Sequence, residues 1–131
     1  MTSILLDTNA LLWLASTPEG ITSAARKVLE HQGNELLVSA VSAWEVAIKT
    51  RIGRLNGTPL LSAWDDVLAG MNATEVVINA ADATMAGQLD WEHKDPFDRM
   101  IVAQAAHRGL TITTSDSQVA QGSLTPALLT R

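Results

Sequence analysis

Ser3-Ile4-Leu5-Leu6-Asp7-Thr8-Asn9 begins with a short apolar run that ends abruptly on a carboxylate and two further polar residues. The run lacks the in-out alternation of a half-solvated strand, so it reads as a strand buried on both faces. Asp7-Thr8-Asn9 then turns the chain into a helix through Ala10 to Ala15. The same grammar recurs downstream. Leu36-Leu37-Val38, Glu75-Val76-Val77-Ile78 and Leu110-Thr111-Ile112-Thr113-Thr114 each read as a strand, and Leu128-Leu129 as a last edge strand. Helical patterns lie between them. Apolar strands alternating with helices call for a parallel sheet covered on both faces, so the fold class is α/β. Strand order is not legible from this pattern.

The intervening helices announce themselves by capping residues and stripes. Thr22 or Ser23 starts one whose apolar face is Ala24, Ala25, Val28 and Leu29, and Gly33-Asn34 stops it. A second runs from about Ser39 or Ser42 to Ile52, with Val41, Trp44, Ile48 and Ile52 on one stripe. Leu60, Leu61, Trp64, Val67, Leu68 and Met71 form the face of a third, with Asp65 and Asp66 off it. A short helix spans Ala81 to Leu89. Pro96 begins another that runs to about His107, with Gly109 as its stop.

The chain has 131 residues, 47% of them apolar and 18% charged, which fits one globular domain over residues 1–131. Absence of Cys excludes a disulfide framework, a thiolate nucleophile and Cys-ligated metal sites. The N-terminus lacks a basic segment, and Asp7 and Asn9 interrupt its apolar stretch, unlike a signal peptide. No run is long enough to span a bilayer. The expectation is a soluble, cytoplasmic protein with no membrane partner. A net charge of −5 argues against salt-driven coating of nucleic acid, so any nucleic-acid chemistry must rest on a local site.

Such a site is visible in the acids. Ligand crevices of open parallel sheets lie beyond the carboxyl ends of the strands. Asp7 follows the first strand directly, and Asp116 follows Thr114-Ser115 at the end of the fourth. Glu45 falls near the start of the helix after the second strand. Asp98 falls in the first turn of the helix that precedes the fourth. Carboxylates about 4 Å apart repel by roughly 4 kcal/mol per pair at an effective dielectric near 20. Helix N-termini return only about 0.3–1 kcal/mol each. Convergence therefore implies protonation or a bound cation, and oxygen ligands without Cys select a hard ion such as Mg²⁺ or Mn²⁺. An ion held in this way activates water and stabilises the attacking and leaving oxygens of a phosphodiester.

Each acid also has a purely structural reading. Asp7 and Asp116 fit helix N-caps, Ser42-x-x-Glu45 matches a capping box, and Asp95-Pro96 places a cap before proline, with Asp98 beside the helix dipole. Thr8, Asn9 and Ser115 are candidates to orient a carboxylate or a water, with turn hydrogen bonding as the alternative, and Asp95 is a candidate acid beside Asp98, of which only one need be catalytic.

Four segments then resemble the motifs of the PIN-domain family. Leu5-Leu6-Asp7-Thr8-Asn9-Ala10-Leu11-Leu12-Trp13 is similar to its opening motif, and Ser42-Ala43-Trp44-Glu45-Val46-Ala47-Ile48-Lys49 to its second. Asp95-Pro96-Phe97-Asp98-Arg99-Met100-Ile101-Val102-Ala103-Gln104-Ala105 resembles the third, and Thr113-Thr114-Ser115-Asp116 the fourth. The likeness is greatest to VapC-like toxins. It implies a three-layer α/β/α sandwich with a central parallel sheet, and Mg²⁺- or Mn²⁺-dependent endoribonuclease activity on RNA. Asp7, Glu45, Asp98 and Asp116 become the acidic cluster. A homodimer and inhibition by a small antitoxin protein are further implications of the resemblance alone.

Lys49, Arg51, Arg54, Lys94 and Arg99 are the bases nearest the acids and are candidates to hold RNA phosphates at the rim, although Glu45 and Lys49 also suit an i,i+4 ion pair. His93, beside the acidic loop, reads as a solvated loop residue, with contact to substrate as the alternative, and His31 and His107 as helix C-terminal residues that suit the dipole. Trp13, Trp44 and Trp64 read as core, and Trp91 as exposed and free to stack on a base or partner. Two other function classes compete. One is a catalytically weak PIN-fold binding module acting through protein partners, against which the complete set of acids argues. The other is a receiver-like phosphoacceptor, which wants an Asp and a Lys where Val38-Ser39 and Thr114-Ser115 stand.

Overall fold

The computed structural model describes residues 1–130. Five strands, β1 (Ser3–Leu6), β2 (Glu35–Ser39), β3 (Ala73–Val76), β4 (Thr111–Thr114) and β5 (Ala127–Leu129), form one parallel sheet in the order β3-β2-β1-β4-β5. The helices are α1 (Thr8–Ser16), α2 (Ser23–Glu30), α3 (Ala40–Arg51), α4 (Thr58–Ser62), α5 (Trp64–Gly70), α6 (Ala80–Gln88), α7 (Pro96–Arg108) and α8 (Ser117–Gly122).

The first strand sits in the middle and shows why its sequence lacks alternation. Ile4 and Leu6 pack on one side with Ala10, Leu11, Ala25, Leu29 and Leu68, and Leu5 packs on the other with Val41, Ile101, Val102, Ala105 and Val119. Helices α1, α2 and α5 thus cover one face, and α3, α7 and α8 the other. This is the expected α/β/α sandwich.

Three local expectations are corrected. The stripe from Leu60 to Met71 is broken at Ala63 (φ −117°, ψ 25°) into α4 and α5, because α4 lies against α3 whereas α5 lies against β3. The third strand runs earlier than its apolar letters suggest. Its register pairs Leu36 with Ala73 and Ser39 with Val76, and β2 ends at Ser39, so Val77 and Ile78 have no strand to join and are exposed. Ser42 caps nothing. The side chain of Ser39 accepts from the Val41 N–H and starts α3 directly from the strand, which leaves Ser42 inside the helix.

A buried ion network fastens α6 to α7. Asp82 is fully buried and accepts from both terminal nitrogens of Arg108, from Gln104 Nε2 and from the Asn79 N–H, with His107 Nδ1 3.0 Å away. Arg108 and these hydrogen bonds hold the Asp82 carboxyl well below the usual carboxylate range, against the opposing effect of burial. His107 therefore does more than suit a helix dipole.

Candidate functional site

Parallel register brings the carboxyl ends of β2, β1 and β4 to one edge, and the acids arrive there by short routes. The Asp7 N–H donates to the Thr113 carbonyl at 3.0 Å, which continues the β1–β4 ladder to the last residue before α1. Its Oδ1 accepts from the Ala10 N–H at 2.8 Å, so Asp7 is the N-cap of α1. Asp7 is 5% exposed. Burial pushes its pKa from 3.8 up to about 6, opposed by hydrogen bonds from Thr114 and Ala10 and reinforced by the charges of Asp98 and Glu45.

Glu45 is held to this spot by a cross-link one turn earlier. Thr8 Oγ1 and Ser42 Oγ lie 2.9 Å apart in the interior and join the start of α1 to α3. Ser42 and Glu45 are three residues apart, hence neighbours on one helix face. Glu45 is buried, and its carboxylate is paired with Lys49, the i,i+4 ion pair expected from the sequence.

Asp98 comes from the opposite direction, in the first turn of α7. The residue before its proline, Asp95, is the N-cap, and Oδ1 of Asp95 accepts from the Phe97 and Asp98 N–H groups at 2.9 and 3.1 Å. Asp98 itself has no capping duty. Its Oδ2 lies 2.7 Å from His93 Nε2. Burial raises the Asp98 pKa, the His93 hydrogen bond and charge oppose this, and the charges of Asp95 and Glu45 add to it.

Asp7, Glu45 and Asp98 therefore lie close enough to act on one another's charge. Asp116 reaches the same edge two residues beyond Thr114, where it caps α8 by accepting the Gln118 N–H at Oδ1 at 2.8 Å. Asn9 and Ser115 line a cleft of about 280 Å³ with Leu12, Trp13 and Ser16.

His93 reads from the sequence as a solvated loop residue or a substrate contact, yet one of its ring nitrogens and a carboxylate oxygen from each of Asp95 and Asp98 lie within 4.8 Å of one another. One buried and one half-buried carboxylate of raised pKa, Asp7 and Asp98, beside the buried Glu45, with one lysine and one imidazole as nearby counter-groups, form a donor set suited to a divalent cation.

Two tryptophans exchange places relative to expectation. Trp44 is 55% exposed and lies edge-on to Phe97 at 5.0 Å, whereas Trp91 is half-buried against the core and Gly122. A Cβ at Gly122 would stand 2.3 Å from the Trp91 ring, so only glycine fits there. Arg99 does not project as a rim cation. It donates to the carbonyls of Ala86, Gly87, Leu89, Trp91 and His93.

Comparison with known proteins gives a consistent picture. A family model described as PIN domain matches residues 4–122. The chain is 32% identical over 120 residues to ribonuclease VapC22 of Mycobacterium tuberculosis, covering 91% of each chain. In fold it is similar to VapBC2 from Rickettsia felis, solved bound to a DNA fragment from its promoter, with a TM-score of 0.73, 14% identity and 98% of each chain covered. DNA-bound VapBC from Salmonella typhimurium also superposes with a TM-score of 0.73, at 16% identity over the whole of both chains.

Proposed function

The chain belongs to the PIN-domain family, and from that premise we propose that it is a metal-dependent endoribonuclease, the toxin of a type II toxin–antitoxin pair. Residues 1–131 would act as one domain. Asp7, Glu45, Asp98 and Asp116 are the proposed acidic cluster, with Mg²⁺ or Mn²⁺ as cofactor and RNA as substrate. The observation that carries this reading is the mutual charge interaction of Asp7, Glu45 and Asp98 at the carboxyl edge of the sheet. Among the described residues no helix is long and apolar enough to cross a membrane.

A bound divalent ion would supply positive charge against the phosphate and lower the pKa of a water molecule at neutral pH. The side chains do the rest. Asp7 offers its second oxygen while Oδ1 remains tied to the Ala10 N–H, so the carboxylate is held in one orientation. Asp98 is held at Oδ2 by His93 Nε2. Glu45 is steadied by Lys49, whose charge also offsets part of the cluster's repulsion. A small antitoxin protein is the proposed inhibitor and a homodimer the proposed assembly. Ribonuclease VapC22 and the VapBC complexes support this pairing by likeness.

The decisive experiment incubates the purified chain with mixed cellular RNA and Mg²⁺ or Mn²⁺, beside a chelator control and the Asp98→Asn variant. Fragments that form only with metal and only in wild type uphold the proposal. Cleavage indifferent to chelator refutes the metal mechanism, and no cleavage with either ion favours the binding-module alternative.

A further inference from the structure

Arg99 is next to Asp98 in sequence and half-buried, and its guanidinium spends its donors on main-chain carbonyls. Nε donates to Ala86 O at 2.9 Å, one terminal nitrogen to Trp91 O at 2.8 Å and His93 O at 3.0 Å, and the other to Leu89 O at 2.7 Å and Gly87 O at 3.4 Å. Ala86 and Gly87 lie in the last turn of α6, where carbonyls have no helical partner. Leu89, Trp91 and His93 lie in the loop between α6 and α7, which has no regular structure to hold it. One side chain thus gathers the end of a helix and the following loop around a planar five-donor group. The residue fixed at the far end of that loop is His93, which meets Asp98.

We propose that Arg99 is a positioning residue for the metal site: it pins the Leu89–His93 loop through its carbonyls so that His93 is delivered to Asp98, beside Asp95. This rests on the metal-dependent reading above. Two features separate it from ordinary loop bracing. The brace ends on His93 itself, and the histidine it places contributes a donor atom to the His93–Asp95–Asp98 group. Lysine cannot replace arginine here, because an ammonium is a compact charge that cannot span acceptors spread around a plane.

The test measures Mn²⁺ affinity by titration calorimetry and amide hydrogen exchange of residues 86–95 in wild type, Arg99→Lys, Arg99→Gln, His93→Ala and Arg99→Lys/His93→Ala. Loss of a group that orients a metal ligand costs roughly 10–100-fold in metal affinity. Arg99→Lys and His93→Ala should each weaken Mn²⁺ binding by about that factor. The double variant should be no more than about threefold weaker than His93→Ala alone, because both changes act on one contact. Exchange in the loop should rise in Arg99→Lys and stay near wild type in His93→Ala. Arg99→Gln, whose neutral amide keeps only two donors, should likewise loosen the loop and weaken Mn²⁺ binding, and it replaces Arg99→Lys if that variant does not fold.

Wild-type Mn²⁺ affinity in the Arg99 variants despite a loosened loop would reduce Arg99 to a structural brace and overturn the inference. So would losses that multiply in the double variant, or a His93→Ala protein that binds Mn²⁺ normally. A wild-type protein that binds no Mn²⁺ would remove the metal reading itself, a different and recognisable failure.

Discussion

Asp7→Asn should make the metal-free protein more stable while abolishing its cleavage of RNA. The carboxyl is buried, and its pKa stands at about 6 against 3.8 for the free side chain. In the unfolded chain it ionises near pH 4, so between about pH 4 and pH 6 the folded state holds a proton that the unfolded state has released. Stability therefore falls as pH rises through that window. Above it the full difference is lost, about 3 kcal/mol at 1.36 kcal/mol per pKa unit. Asparagine keeps the size and the oxygen that caps α1 and is as good an N-cap as aspartate, but it does not titrate.

Unfolding by urea in the presence of chelator should show no difference between wild type and Asp7→Asn near pH 4. A gain of up to about 3 kcal/mol should develop by about pH 8. Saturating Mn²⁺ should reverse the order, since an ion bound only by the folded wild type at a thousandfold excess over Kd adds about 4.1 kcal/mol that the variant forgoes. Stability sacrificed at a site so that it can bind and act is a familiar trade. An Asp7→Asn protein less stable than wild type at pH 8 without metal, or a gain independent of pH, would refute the reasoning. Wild-type cleavage by the variant would refute the role of Asp7 in the cluster.

Further outcomes follow from the same geometry. Millimolar Mg²⁺ or Mn²⁺ should raise the melting temperature of the wild type, and a transition unmoved by either ion counts against a preformed site. Asp98→Asn should remove most cleavage with little loss of stability, whereas Asp95→Ala, which deletes the cap of α7, should cost about 0.5–2 kcal/mol with a smaller effect on cleavage. Melting curves and single-turnover cleavage of the two variants would show reversed roles at once. Asp82→Ala strips the acceptor from Arg108 and should cost about 3 kcal/mol, the low end for a broken buried pair because Arg108 can swing toward solvent. The stabilisation from Asp82 should persist above the carboxylate's unfolded pKa and be lost as pH falls below it, opposite in sign to Asp7, which urea titrations at low pH would detect.

The sheet was legible because β1, β2 and β4 are short runs buried on both faces and give way to polar residues that begin the next element, so pattern and punctuation agree. Where the two disagreed, tertiary pairing decided. Val77 and Ile78 have strand-like side chains but no partner beyond the end of β2. The stripe from Leu60 to Met71 is periodic, yet its halves pack on different elements. Ser39 and Ser42 were both credible caps, and only the point at which β2 stops selects Ser39. Trp44 and Trp91 were misjudged for a related reason. A helical stripe does not reveal that its next layer is missing, and a polar loop does not reveal that it folds back on Gly122.

The site was legible in its acids and illegible in what holds them. Asp7, Glu45 and Asp98 are found together because each lies within a few residues of an element boundary, and the boundaries at one edge of a parallel sheet converge. Arg99 left no such signal, since its partners are main-chain carbonyls six to thirteen residues earlier and carbonyls have no sequence signature. The same holds for His93, which reaches Asp98 only because that loop is gathered in. Sequence reasoning set the capping and metal roles of the acids against each other, but the atoms do not compete. Asp7, Asp95 and Asp116 each direct Oδ1 to an N–H at the start of a helix, and a carboxylate has a second oxygen. A capping bond fixes that second oxygen in space, as an acid in a metal cluster requires, while Glu45 and Asp98, which cap nothing, are steadied by Lys49 and His93 instead.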